Sequence, residues 1–274
     1  MAGEVTADLK GQTAVVVGGS SGIGRASALR FARNGAHVFV AGRSPQSVNE
    51  VCEEIGIGGG RATGVTLDAR DDAAVQALID RAVADTGTLN IMVCAAGVEY
   101  VGTIAEGNPA LWREMYEINV LAALIGAKAA IAAMRGGNFA GHIILFGSIA
   151  GRSEGSGVYG STKAAIHSLA SSLRAELEDD PIRVTNIIPG VIMTNFVRTF
   201  PAEMMNEFLK SLDLDANFTT DSLLTEAQIT DIHKRASAVV STADDVARAV
   251  LFAVSQPIDL NIYEVFVRPR KNIP

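Results

Sequence analysis

Six short runs of apolar and β-branched residues punctuate the first two thirds of the chain: Thr13 to Val17, His37 to Ala41, Ala62 to Leu67, Leu89 to Val93, His142 to Phe146 and Arg183 to Ile188. Such runs suit strands buried on both faces. Between them, Arg25 to Asn34, Pro45 to Ile55, Asp71 to Asp85, Pro109 to Met134 and Tyr159 to Glu178 repeat apolar residues at three- and four-residue spacing, as a helix packed on a sheet requires. Strand and helix alternate, which implies right-handed crossovers and a parallel sheet covered on both sides. The expected fold is therefore α/β, a doubly wound parallel sheet in one domain spanning 1–274, with ligands at the carboxyl ends of the strands. The alternation breaks from Asn195 to Val240, where about two helices rich in Met, Phe and Leu are predicted. A helix from Thr242 to Ala253 and a last strand near Val265 complete the pattern.

Composition narrows the function classes. The net charge of −7 opposes a phosphate backbone, so nucleic acid is not an expected partner. Charges such as Lys128 interrupt the apolar runs before they reach the roughly 18 residues of a membrane span, so no membrane association is expected. Residues 1–8 lack the basic start and apolar stretch of a signal peptide, and a cytoplasmic protein is expected. Two cysteines, Cys52 and Cys94, make no disulfide framework, and His37, His142, His167 and His233 show no metal-ligand spacing.

The first strand runs into Gly18, Gly19, Ser20, Ser21, Gly22, Ile23, Gly24, and a helix begins at Arg25. Glycines allow a sharp turn and close approach to a pyrophosphate, and the helix N-terminus adds free N–H groups and a positive dipole end. After the second strand, where a dinucleotide fold commonly presents an acid to the ribose 2′-hydroxyl, stand Arg43 and Ser44. A guanidinium fork and a hydroxyl suit a 2′-phosphate, so NADP(H) is expected over NAD(H). Tyr159 and Lys163 lie four apart at the start of a helix and share one face. A free tyrosine titrates near pH 10, and a neighbouring ammonium stabilises its phenolate. Ser148 follows the fifth strand, where its hydroxyl can polarise a carbonyl.

The Gly18 to Gly24 turn, Asn119, Ser148 and the Tyr159-x-x-x-Lys163 pair together resemble the short-chain dehydrogenases/reductases, over nearly the whole chain. The resemblance implies a Rossmann-like sheet and a hydride transfer between NADP(H) and a carbonyl or alcohol. Tyr159 would be the general acid in reduction and the base in oxidation, and Ser148 would hold the substrate oxygen. Lys163 would also bind the nicotinamide ribose, and Asn119 would hold a water linking Lys163 to solvent. Asp68 and Ala69 would border the adenine. Ala95 and Gly97 would let the cofactor pass close, and Pro189, Gly190, Ile192 and Thr194 would line the nicotinamide and pyrophosphate. The segment 195–240 corresponds to that family's substrate lid, and its Phe196, Phe200, Met204, Met205, Phe208, Leu209, Leu212, Phe218, Leu223 and Leu224 suit a bulky hydrophobic or aromatic ketone.

The chain departs from that pattern at Val17, where a threonine is usual, and at Cys94-Ala95, where two asparagines are usual. Altered packing is the expected result, with Cys94 acting as a small buried hydrophobe. The ending Asn261 to Pro269 resembles members acting on hydroxy acids and assorted ketones, which keeps small polar substrates as an alternative. An idle NADP(H)-binding sensor or scaffold is the alternative from outside enzymology. The resemblance further implies a homo-oligomer, a tetramer or else a dimer.

Overall fold

The computed structural model describes residues 6–271; of the N-terminal stretch considered for a signal peptide, residues 1–5 lie outside the described residues. Seven parallel strands run β1 (Thr13–Val17), β2 (His37–Gly42), β3 (Arg61–Thr66), β4 (Ile91–Cys94), β5 (Gly141–Phe146), β6 (Ile182–Pro189) and β7 (Glu264–Val267), in spatial order β3-β2-β1-β4-β5-β6-β7. The order reverses direction between β1 and β4, and a crevice at the carboxyl ends of those strands results from that reversal. β1, β4 and β5 are buried at every position, which explains their unbroken apolar runs. The edge strand β3 keeps exposed Arg61, Gly64 and Thr66.

Helices α1 (Gly22–Arg33), α2 (Pro45–Ile57) and α3 (Asp72–Thr86) come after the first three strands as predicted, with ends shifted by a few residues. Side-chain caps explain two of the starts: Ser44 accepts from the Ser47 N–H at α2, and Asp71 from the Ala74 N–H at α3. Two cores result. One holds Phe31, Val38, Val51 and Val250 on the α1 and α9 (Ala243–Val254) face; the other holds Phe39, Leu78, Met92 and Met134 on the opposite face.

The predicted helix Pro109 to Met134 is not uniform. It runs as α4 (Pro109–Tyr116), a π-helical turn at Glu117–Leu121, and α5 (Ala122–Gly137). A π turn inserts a residue and rotates the next stretch of helix, and here it carries Asn119. At 29 residues, Pro109–Gly137 is long and apolar enough by length and composition to cross a bilayer, a test that the buried core helix of a globular fold also meets. Glu117 and Lys128 still interrupt its apolar runs, and just over half of its most apolar stretch is buried inside the protein. α5 lies close on β4: a Cβ added at Gly126 would meet Cys94 Sγ at 2.9 Å. Cys94 is buried as expected, and burial pushes its thiol up to about 12.

α6 (Gly157–Glu176) carries Tyr159 and Lys163. The segment beyond β6 forms a 3₁₀ turn at Asn195–Thr199, then α7 (Ala202–Ser211) and α8 (Glu226–Ala236). These have a small core of their own, with Met205, Leu209, Phe218, Leu224 and Ile232. Two asparagines clamp it: Asn206 exchanges hydrogen bonds with the Phe218 backbone at 2.8 and 2.9 Å, and Asn195 with that of Leu224.

Candidate active site

A cleft of about 650 Å³ runs from the β1–α1 turn, across the carboxyl ends of β4 and β5, to the segment after β6. The turn is shaped by its glycines. Gly18 has φ +84°, and a Cβ there would meet the Ala95 and Ala96 backbone within 2.5–2.7 Å; one on Gly24 would lie 2.1 Å from the Gly18 carbonyl oxygen. Ser21 is the N-cap of α1, yet its side chain makes no capping hydrogen bond. The first N–H groups of α1 therefore remain available to an anion, unlike those of α2 and α3. This donor set fits a dinucleotide pyrophosphate.

Gly18, Ser20, Ser21, Gly22, Ile23, Gly24, Arg43, Asp68, Ala69, Ala95, Gly97, Ser148, Tyr159, Lys163, Pro189, Gly190, Ile192 and Thr194 all line this one cleft. The exposed Arg43 stands at the end of β2. Nearby, Arg70 grips the Asp68 carboxylate at 2.6 Å and holds its pKa down to about 2. Ser44 does not line the cleft: its hydroxyl oxygen is occupied in capping α2, so the expected contact with a 2′-phosphate has no support from its position.

Asn119 is also off the cleft wall, 2% exposed. Its Oδ1 accepts the Val98 N–H at 2.8 Å, and its Nδ2 donates to the Val98 carbonyl at 2.9 Å and to Thr162 Oγ1 at 3.1 Å. The side chain is thus spent on bracing the loop after β4, and any water held at this residue would need its backbone oxygen. Thr162 in turn donates to the Tyr159 carbonyl at 2.7 Å, so the brace reaches the first turn of α6.

Tyr159 packs against Phe196, ring centroids 5.9 Å apart, with its phenol near the Ser148 hydroxyl. Burial raises the phenol's pKa, the nearby Glu99 raises it further, and the Ser148 hydroxyl works the other way. From the sequence, Lys163 is expected to lower it. The lysine ammonium lies 5.7 Å from the Tyr159 ring centroid and donates to the Phe146 carbonyl at 2.9 Å, and burial brings its own pKa down to about 8. Ser148 caps a 3₁₀ turn by accepting the Ala150 N–H at 3.2 Å. Behind it, Asn186 Oδ1 accepts the Gly147 N–H and its Nδ2 donates to His167 Nδ1 at 2.8 Å. That leaves the proton on Nε2, which donates to the Ser148 carbonyl at 3.0 Å.

From the segment after β6, Phe196, Phe200, Met204, Met205 and Phe208 face the cleft, whereas Leu209, Phe218 and Leu224 pack that segment's own core. Two charged lining residues escaped sequence reasoning, Glu99 and Arg198. Neither belongs to a motif or a periodic face. The only available signal was Glu99's place two residues beyond Gly97 at the end of a buried strand.

The short chain dehydrogenase family model matches residues 12–204. An uncharacterized oxidoreductase of Staphylococcus epidermidis is 30% identical over 266 residues, covering 96% of this chain and 99% of that protein. The 2,5-dichloro-2,5-cyclohexadiene-1,4-diol dehydrogenase LinX of Sphingobium indicum is 33% identical over 202 residues, covering 73% of this chain and 80% of its own. Among solved structures, a metagenomic short-chain oxidoreductase in complex with NADP superposes with a TM-score of 0.73 at 26% identity, over 96% of this chain and 99% of that one. An alcohol dehydrogenase from the archaeon Thermococcus sibiricus, complexed with 5-hydroxy-NADP, shares the fold with a TM-score of 0.77 at 21% identity, over 96% and 98% of the two chains. The glycine turn, the serine–tyrosine–lysine wall and these likenesses agree: the chain belongs to the short-chain dehydrogenase/reductase family of oxidoreductases.

Proposed function

We propose that the chain is an NADP(H)-dependent oxidoreductase interconverting a ketone or aldehyde with its alcohol. The observation that carries this reading is the meeting of the Ser148 hydroxyl, the Tyr159 phenol and the Lys163 amine on one wall of a cleft whose far end is the uncapped start of α1. Bound along that cleft, the nicotinamide supplies or accepts the hydride. The Gly18–Gly24 turn and the α1 N-terminus hold its pyrophosphate, Gly97 and the segment from Pro189 to Thr194 border the nicotinamide half, and Lys163 binds the ribose. Arg43 reads the 2′-phosphate, a role supported by its place at the end of β2 and by the NADP bound in the metagenomic oxidoreductase.

Ser148 orients the substrate oxygen and Tyr159 exchanges a proton with it. The phenol is protonated at neutral pH, as donation to a carbonyl during reduction requires. The Phe and Met side chains of the 195–240 lid favour a bulky apolar or aromatic substrate body. Free Cys52 and Cys94 accord with a reducing, cytoplasmic setting. Exposed Tyr116 and Leu121 on the α4–α5 helix, with Leu260, Tyr263 and Phe266 near β7, supply apolar surface for a homo-oligomer, a tetramer or else a dimer.

NADPH and NADH oxidation against aromatic, aliphatic and polar carbonyls tests the reading, with Tyr159→Phe alongside. NADPH-dependent turnover that falls about a hundredfold or more in the variant, with NADPH binding retained, is the expected result. Normal turnover by Tyr159→Phe would refute the mechanism, and tight NADPH binding without turnover on any carbonyl would favour a sensor.

A further inference from the structure

The reaction as proposed leaves charged groups of the cleft wall without a task, and Glu99 is the one beside the reacting side chains. Glu99 lies in the loop leaving β4, and its backbone is held from both sides: the preceding Val98 is braced by Asn119, and the Glu99 carbonyl accepts the Thr199 hydroxyl from the lid segment. Its position is therefore defined by the strand end and by the lid together. The carboxyl lines the cleft and is close enough to Tyr159 and Lys163 to act on both electrostatically. Among the described residues nothing donates a hydrogen bond to it. Withdrawal from water outweighs the lysine's attraction and raises its pKa to about 7.

A carboxyl removed from most of its water without a protein donor carries a free-energy cost, and a ligand donor relieves that cost. The neighbouring lid side chains do not supply one: Phe196, Phe200, Met204 and Met205 offer no donor, and the Arg198 guanidinium donates to the Asn195 carbonyl at 3.1 Å, with no ion pair to Glu99 among the described residues. A molecule occupying the cleft beside Tyr159 would displace the water left at this half-buried carboxyl and so has to supply a donor in its place.

We propose that Glu99 determines substrate specificity by accepting a hydrogen bond from a hydroxyl or ammonium group carried one or two carbons from the reacting carbonyl. Resting on the carbonyl-reductase reading above, this makes the substrate amphipathic: an apolar body against the lid and a donor group facing Glu99.

The test compares kcat/KM for NADPH-dependent reduction of acetophenone, 2-hydroxyacetophenone, 2-methoxyacetophenone and 2-aminoacetophenone. On the wild type, methylating the hydroxyl removes the donor while keeping its inductive effect, and kcat/KM falls about tenfold or more, the worth of one good hydrogen bond at about 1.4 kcal/mol. In Glu99→Leu the preference for both donor-bearing ketones over acetophenone falls by a similar factor. Glu99→Gln, which keeps an acceptor oxygen, restores more of the preference for the hydroxyketone than for the aminoketone. An equal rate on the hydroxy and methoxy ketones overturns the proposal without any variant. An unchanged preference in Glu99→Leu overturns it too, as does NADPH affinity that falls in place of the preference, which would put Glu99 on the cofactor. If the wild type turns over none of the four while binding NADPH, the carbonyl reading itself fails and the inference falls with it.

Discussion

Replacing Asn119 by leucine tests whether this buried amide is a structural brace. The change keeps most of the side-chain volume and removes three hydrogen bonds, two of them to the Val98 backbone. Thr162 keeps its bond to the Tyr159 carbonyl, so the main loss is the buried Val98 N–H and C=O left without partners. At about 1–3 kcal/mol for each unsatisfied buried group, less what the added apolar burial returns, the expected destabilisation is about 3 kcal/mol. For a chain of this size that is a fall of roughly 6–12 °C in Tm. Urea unfolding at pH 7 gives the free energy directly, and a fall in the midpoint at unchanged slope is the expected signature. Turnover should fall as well, because Val98 sits between Gly97 and Glu99 on the cleft wall. A variant within about 0.5 kcal/mol of the wild type would refute the bracing argument. Intact stability with lost turnover and a shifted pH–rate profile would instead place the side chain in the proton route.

Three further outcomes are expected from other parts of the structure. Burial holds the His142 imidazole neutral with a pKa near 4, so between about pH 6.5 and 4 the unfolded chain binds a proton the folded one refuses, and stability drops as pH falls through that window. The ceiling is about 3 kcal/mol, and His142→Gln should remove the slope; a wild-type-minus-variant difference independent of pH in urea unfolding would contradict it. Glu99 acts with the opposite sign: with its folded pKa raised from 4.5 to about 7, stability is lost as pH rises through that range, and Glu99→Gln should be relatively more stable than the wild type at pH 8 than at pH 5. Arg43→Asp should weaken NADPH at least tenfold while leaving NADH little changed, measured by fluorescence titration; an unchanged cofactor ratio would show that Arg43 does not read the 2′-phosphate.

The chain's own pattern determined most of the frame. Apolar runs placed six strands within a few residues of their observed ends and a seventh near Val265, most sharply at β1 and β5, because strands buried on both faces leave little room for polar residues. Helical spacing placed Tyr159 and Lys163 on one face, and the glycine turn marked where a helix start would lie open to an anion. Tertiary structure decided what periodicity does not encode, which is how residues from separate loops converge and which hydrogen bonds their polar atoms choose. Asn119 turns its amide to Val98, and Ser44 caps its own helix. Lys163 donates to the Phe146 carbonyl, and Glu99 and Arg198 line one cleft although they are 99 residues apart. The physical reason is that an apolar pattern reports only removal from water, whereas the partner of each buried polar group is set by the crossing of elements remote in sequence.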